Sequence, residues 1–180
     1  LSITTIMNVI QNGFTIETGS ESINSMLNRG GIQSMLWSIS LVILTLTMGG
    51  IIQALGLLEK IFESIQKVAT TTGKLVLAVA CTAIGINVTV GEQYLSILLT
   101  GNVYKGEFDK RGLSNKNLSK IIEDAGTVIN PLIPYGVSGV FIASVLNVPV
   151  MEYLPFAFFC LLSPLLSIFY GFTGISMKKV

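Results

Sequence analysis

Four apolar stretches alternate with polar segments along this chain, and at least two of the stretches are broken midway. Residues 1–30 are polar and Gly-containing, with Ile3 to Ile10 reading as the end of an earlier helix. Gln33 to Leu58 then runs apolar through Trp37, Leu41, Leu44 and Met48. About 20 such residues cross the hydrocarbon core, so this is a span. Gly49 and Gly50 inside it serve either a close helix contact or a kink. Glu59 to Thr72 reads as a charged amphipathic linker. The second stretch, Gly73 to Thr100, carries Gly85-Ile86-Asn87-Val88-Thr89-Val90-Gly91-Glu92 at its centre, poor material for one continuous helix. Residues 101–120 form the most basic loop. The third stretch, Leu118 to Val148, is interrupted over Asn130-Pro131-Leu132-Ile133-Pro134-Tyr135-Gly136, where two prolines remove backbone donors and break a helix. The last, Leu154 to Ser176, tolerates Pro155 in its first turn and is expected to kink at Pro164. The pattern predicts an all-α integral membrane protein with spans at about 33–58, 73–100, 118–148 and 154–176.

Lipid offers the backbone no hydrogen bonds, so a broken helix at membrane depth must be lined by protein or by a water-filled cavity. Transporters build binding sites from such breaks. Composition agrees: 51% of the 180 residues are hydrophobic and 12% charged, against about 25% charged in a soluble domain. The chain has no His, which removes the usual proton shuttle and the commonest zinc ligand. Cys81 and Cys160 are isolated in apolar surroundings and read as packing residues. No basic start and cleavage site of a signal peptide opens the chain, which reads as part of a longer polypeptide.

Charge position bears on topology. If all four stretches cross, Arg29, Lys105, Lys110, Arg111, Lys116, Lys120, Lys178 and Lys179 share one side and Lys60, Lys67 and Lys74 the other, eight against three. If residues 73–100 instead form a re-entrant hairpin, only Arg29 stands apart, ten against one. The bias of basic residues to the cytoplasmic side favours the hairpin. Arms of about 14 residues would reach about 21 Å, enough to approach the midplane.

Glu92 is the first candidate for chemistry, in a stretch otherwise free of charge between Lys74 and Lys105. A membrane carboxylate usually faces a cavity and can take a cation or a proton. Asn87, Thr89 and Gln93 offer neutral oxygens, which suit hard cations. The other reading places this break near the surface, with Glu92 solvated. Glu123 and Asp124 precede the second break, and Asp124, Thr127 and Pro131 fall on one helix face with Asn130 close behind. Acids in a first helical turn are also favourable for local reasons alone. Na⁺ at Glu92 and Asp124 is the expected ion site, with Gly85, Gly91, Pro131, Pro134 and Gly136 as the breaks. Thr18, Gly19, Ser20, Gln33 and Ser34 read as interfacial loop. No P-loop, nucleophile elbow or zinc-protease motif is present, nucleic-acid binding has no support, and no cofactor or enzymatic activity is expected.

These residues also carry a likeness. Thr18-Gly19, Arg29-Gly30-Gly31-Ile32-Gln33-Ser34-Met35, Gly91-Glu92-Gln93-Tyr94-Leu95-Ser96, Arg111-Gly112-Leu113, Leu118-Ser119, Glu123-Asp124-Ala125-Gly126-Thr127, Pro131-Leu132-Ile133-Pro134 and Tyr170-Gly171-Phe172-Thr173-Gly174-Ile175 follow the expected order. The chain resembles the NhaC family of Na⁺/H⁺ antiporters, which includes malate/lactate exchangers, over its C-terminal portion. Members often have Asp where this chain has Glu92 and Ser where it has Ala125, so the carboxylate is retained and the hydroxyl is not. The resemblance implies one half of an inverted-repeat ion transporter in the inner membrane of a prokaryote, multi-pass, with the N-terminal half of the same transporter as its partner and homo-oligomerisation open. It implies Na⁺ and H⁺ as transported ions. Organic-acid exchange is the alternative, and a non-transporting structural membrane subunit is the reading from another class.

Overall fold

Hydroxyl and carboxylate caps mark where four of the helices start. In the computed structural model, which describes residues 2–28, 30–56 and 69–179, Ser2 caps α1 (Ile3–Asn12) by accepting from Thr5 N, and α2 (Glu21–Leu27) follows Ser20. Thr71 caps α4 (Thr72–Val90), Glu92 caps α5 (Gln93–Lys110), and Ser114 caps α6 (Asn115–Ile122). Between them, α3 runs over Ile32–Ala54. After α6 come a π-helical turn, Glu123–Thr127, and a 3₁₀ turn, Asn130–Leu132. The chain continues as α7 (Val137–Leu146), the short α8 (Val150–Tyr153), a 3₁₀ turn over Leu154–Phe156, and α9 (Phe158–Thr173).

The chain divides into two units, residues 1–43 and 44–180. In the first, the segment between α1 and α2 is pinned by side-chain amides. Asn24 Oδ1 accepts from Thr18 N at 2.8 Å, and Asn28 Oδ1 accepts from Ile16 N at 2.7 Å. Gly31 lies so close to the backbone at Ile10 and Gly13 that no side chain fits there.

The second unit is built around the antiparallel pair α4 and α5. Gly91, at φ +75°, turns the chain between them in a conformation that suits glycine. Small residues on α4 let its neighbours approach, as helices in lipid require. Ala78, Ala80 and Ala83 join Leu75, Val76 and Val79 in a core with Tyr104 and Phe108 of α5 and Leu118, Ile121 and Ala125 of the α6 region. Tyr104 OH and Thr82 Oγ1 bond at 2.9 Å, and Ser96 Oγ donates to Ala83 O at 2.7 Å. Then α9 runs back along α4, with Gly171 seated against Val76 and Phe172 against Gly73. Its other face leaves Phe158, Phe159, Leu162, Leu165, Leu166 and Phe169 exposed, an apolar surface suited to lipid.

The end of the unit opposite Gly91 gathers basic residues. Arg111 donates to Ala69 O, bringing the two open ends of the α4–α5 hairpin together. Ser114 N donates to Lys178 O at 3.0 Å, and Asn117 exchanges hydrogen bonds with Lys178 in both directions. Leu113 and Lys179 form an isolated antiparallel bridge.

Several expectations shift. Gly85 does not break its helix: α4 runs unbroken to Val90, because burial of Ile86, Asn87 and Val90 outweighs the weak helix propensity of one glycine. The break is at Gly91 alone. Most of the expected loop over 101–120 is helix, α5 reaching Lys110 with Tyr104 and Phe108 fully buried. The hairpin arms are therefore longer than foreseen; the 19 residues of α4 rise about 28 Å, close to the thickness of a hydrocarbon core. The third stretch leaves α-helical geometry at Glu123, well before its prolines. Pro164 stands within an unbroken α9, and the 56° bend of this stretch falls between Phe156 and Phe158. Gly49 makes the close contact, against Val90 and Leu95, while Gly50 faces open space. Arg29, Lys60, Lys67 and most of the expected linker lie outside the described residues. Ile32–Ile52 and Thr72–Val90 are long and apolar enough to cross a membrane, and the bent pairs 115–146 and 150–173 qualify if each counts as one span.

Candidate functional site

Every departure from α-helical geometry orphans backbone groups, and in this unit two departures satisfy each other. Gly91 O, at the hairpin turn, accepts from Val137 N at 3.1 Å and from Asn130 Nδ2 at 3.3 Å. Asn130 Nδ2 also donates to Asn87 Oδ1 at 2.8 Å, and Ser138 N donates to Asn130 Oδ1 at 3.0 Å. Asn87 Nδ2 donates to Gly126 O in the π-helical turn. The backbone donors and acceptors fix which end of each amide is oxygen, so the orientation is not arbitrary. Both asparagines are fully buried. Tyr135 OH donates to Val88 O, and Tyr153 OH donates to Pro131 O at 2.5 Å. Asn87, Asn130, Gly91, Pro131 and Gly136 therefore come together, as a clasp of neutral groups.

Asp124 occupies a different setting. It lies in the π-helical turn, a distortion that often marks functional positions, and it is half-buried. Ser163 Oγ donates to its Oδ1 at 2.6 Å, and Ser167 Oγ donates to its Oδ2. Both serines come from α9, one turn apart. Among the described residues no cation forms a salt bridge with Asp124. The ammonium of Lys120, one turn earlier, sits 4.7 Å from the centre of the Tyr170 ring.

The other candidates separate from these two. Glu92 is half-buried, and its carboxylate caps α5 by accepting from Leu95 N at 2.9 Å. Thr89 is exposed and bonds back to Gly85 O at 2.7 Å. Thr127 donates to Glu123 at 3.2 Å. Glu123 lines a groove of roughly 440 Å³ between α5 and α6, bordered by Asn102, Lys105 and Asn115. Adjacent acids thus face different neighbours, Glu123 toward this groove and Asp124 toward α9. Pro134 is exposed in the non-helical link to α7. No hydrogen bond joins Glu92 to Asp124 among the described residues, and no group of three acid, Cys or His side chains gathers. Asp124 and Glu123 are met by hydroxyl oxygens, and Glu92 by a backbone N–H.

Sequence reasoning missed Ser163 and Ser167. Their signal was present: two hydroxyls at i and i+4 on an otherwise apolar stretch. It also missed the column Ser96, Thr100 and Tyr104 on α5, all fully buried, in which Thr100 Oγ1 has no hydrogen-bond partner among the described residues.

Comparison with known proteins gives these positions a family. The Na⁺/H⁺ antiporter family pattern matches residues 1–175. The Na⁺/H⁺ antiporter NhaC of Alkalihalophilus pseudofirmus is 52% identical over 95% of this chain and 37% of its own length. The protein of the same name from Bacillus subtilis is 47% identical over 95% of this chain and 38% of its own length. The malate-2H⁺/Na⁺-lactate antiporter of Bacillus subtilis is 34% identical over 91% and 35%. The chain thus spans little more than a third of the length of the curated relatives it matches. No solved structure matches it significantly. With the pattern covering nearly every residue described above, the chain belongs to the Na⁺/H⁺ antiporter family.

Proposed function

We propose that this chain is the C-terminal part of a secondary transporter that exchanges Na⁺ for H⁺ across the cytoplasmic membrane of a prokaryote. The observation that carries the reading is Asp124: a half-buried carboxylate in a π-helical turn, held by two hydroxyls and by no cation among the described residues. Such a group takes either a proton or a hard cation, and competition between the two at one carboxylate couples their movements. Glu92, at the hairpin turn, is the second acid in this reading. Asn87 and Asn130 hold the interrupted backbone around the site, and Thr127, Thr89 and Glu123 complete the set of polar candidates. The other part of a longer polypeptide supplies the facing half of the site in this reading, and homo-oligomerisation would leave this chemistry unaltered.

The α4–α5 hairpin is read as entering and leaving on one face of the membrane, with the basic end cytoplasmic and arms long enough to bring Gly91 close to the far face. Support comes from the meeting of Arg111 with Ala69 and of Lys178 with Ser114 and Asn117, which collects the basic segments at one end. Cysteine labelling that put residues 70 and 112 on opposite faces of the membrane would overturn this topology.

Organic-acid exchange is the second reading, favoured by the 34% identity to a malate/lactate antiporter. One experiment separates the two. Inverted vesicles containing the full-length protein are given a pH gradient, then NaCl, and separately malate or lactate, while a pH-sensitive dye is followed. A response to Na⁺ alone supports cation exchange; a response only with the organic acid replaces it by metabolite exchange.

A further inference from the structure

We propose that Ser163 and Ser167 are ion-selecting ligands, switching from donating to Asp124 to ligating the Na⁺ that Asp124 binds. The inference rests on the reading of Asp124 as the exchange site and adds residues to it. The two hydroxyls sit one on each carboxylate oxygen, Ser163 on Oδ1 at 2.6 Å and Ser167 on Oδ2. A serine hydroxyl has one hydrogen and two acceptor lone pairs. Within a helix its hydrogen has a second acceptor, the carbonyl four residues earlier. For Ser163 that is Phe159, and for Ser167 it is Ser163 itself.

With Na⁺ absent, both hydrogens point to the carboxylate and stabilise its charge. When Na⁺ arrives, the hydrogens turn to the backbone and the lone pairs face the ion. Na⁺ then meets two carboxylate and two hydroxyl oxygens, a donor set suited to a hard cation. No covalent bond at either serine is made or broken; the proton that is exchanged belongs to Asp124. The same face of α9 keeps a competitor away. Tyr170, three residues beyond Ser167, holds the Lys120 ammonium over its ring at 4.7 Å, although Lys120 lies at i−4 from Asp124 where a helical ion pair would form. Seated there, the lysine leaves the carboxylate to the transported ion.

The test uses the full-length protein in inverted vesicles, with Na⁺ titrated and exchange normalised to the amount inserted. Replacing both serines (Ser163→Ala with Ser167→Ala) should raise the KM for Na⁺ about tenfold, the loss of about 1.4 kcal/mol of binding, with kcat within about twofold. Ser167→Thr keeps a hydroxyl and should keep the wild-type KM. If the double variant fails to insert, Ser163→Ala alone should still raise KM, by about threefold. An unchanged KM in the inserted alanine variants, or an equal rise in Ser167→Thr, overturns the proposal. The wild-type response to Na⁺ in the same vesicles judges the exchange reading separately, since silence there removes that reading before any serine variant is compared.

Discussion

The Asn87–Asn130 clasp and the Asp124 seat are both polar, both built on interrupted helices, and opposite in design. In the clasp, neutral amides meet backbone groups whose positions are fixed, and both side chains are fully buried. In the seat, a charge is met by rotatable hydroxyls and is only half-buried. A buried amide with every partner fixed resists change, because each lost hydrogen bond leaves an orphan. A carboxylate met by rotors exchanges partners at little cost. The difference teaches where to look for transport: at the group whose partners can turn, beside the group whose partners cannot.

Substitutions at the two places should therefore fail differently. Asp124→Asn keeps the shape and removes the charge, so exchange should vanish while the protein remains inserted and folded; transport by that variant would dissolve the distinction. Glu92→Gln preserves an oxygen that can cap α5 and should likewise abolish exchange with the fold intact, as dye response and membrane content together will report. Asn130→Ala strips partners from Asn87, Gly91 and Ser138, and should cost roughly 2–3 kcal/mol. It should appear as a lower unfolding temperature in detergent before any change in Na⁺ dependence. Gly91→Ala puts a side chain at φ +75° and should cost about 1–2 kcal/mol, read in the same thermal assay.

The smallest effect lies away from both places, at the basic end of α5. Hydrogen bonding to Lys110 holds the Glu107 carboxyl below its ordinary value, against a weaker opposing contribution from desolvation. A depressed carboxylate adds stability above its unfolded value and loses it as pH falls through the folded one. The pair with Lys110 is exposed, so Glu107→Gln should cost only about 0.3 kcal/mol near neutral pH. That difference should disappear only as pH falls below the ordinary carboxylate value of 4.5 and through the lower folded one, and thermal melts at neutral and at such acid pH will check it.

Much of this was legible in the sequence. The apolar stretches, a turn near Gly85–Gly91 and the interruption around Pro131 follow from lipid thickness and from the backbone chemistry of glycine and proline. Gly85 misled because propensity is a weak prior against the burial of Ile86 and Asn87 on the same helix. The π-helical turn at Glu123 was invisible, since no residue type signals it; within it, Gly126 O takes a hydrogen bond from Asn87 of another helix. The length of α5 was hidden by its charges, which cluster at its exposed end while Tyr104 and Phe108 are buried on its inner face. The seat of Asp124 was half legible: the acid was singled out, but its serines lie 39 and 43 residues away.

The Asn117–Lys178 pairing sets a schedule for biogenesis. Its partners are 61 residues apart, so at roughly 5–20 residues per second of synthesis the second arrives about 3–12 s after the first. Through that interval α4 and α5 have been made and α6 is completed while their basic end still lacks the segment at Lys178. A ribosome stalled shortly before residue 178 would hold these helices with Asn117 unlatched, and the closure of this end belongs to the moments after that point in translation.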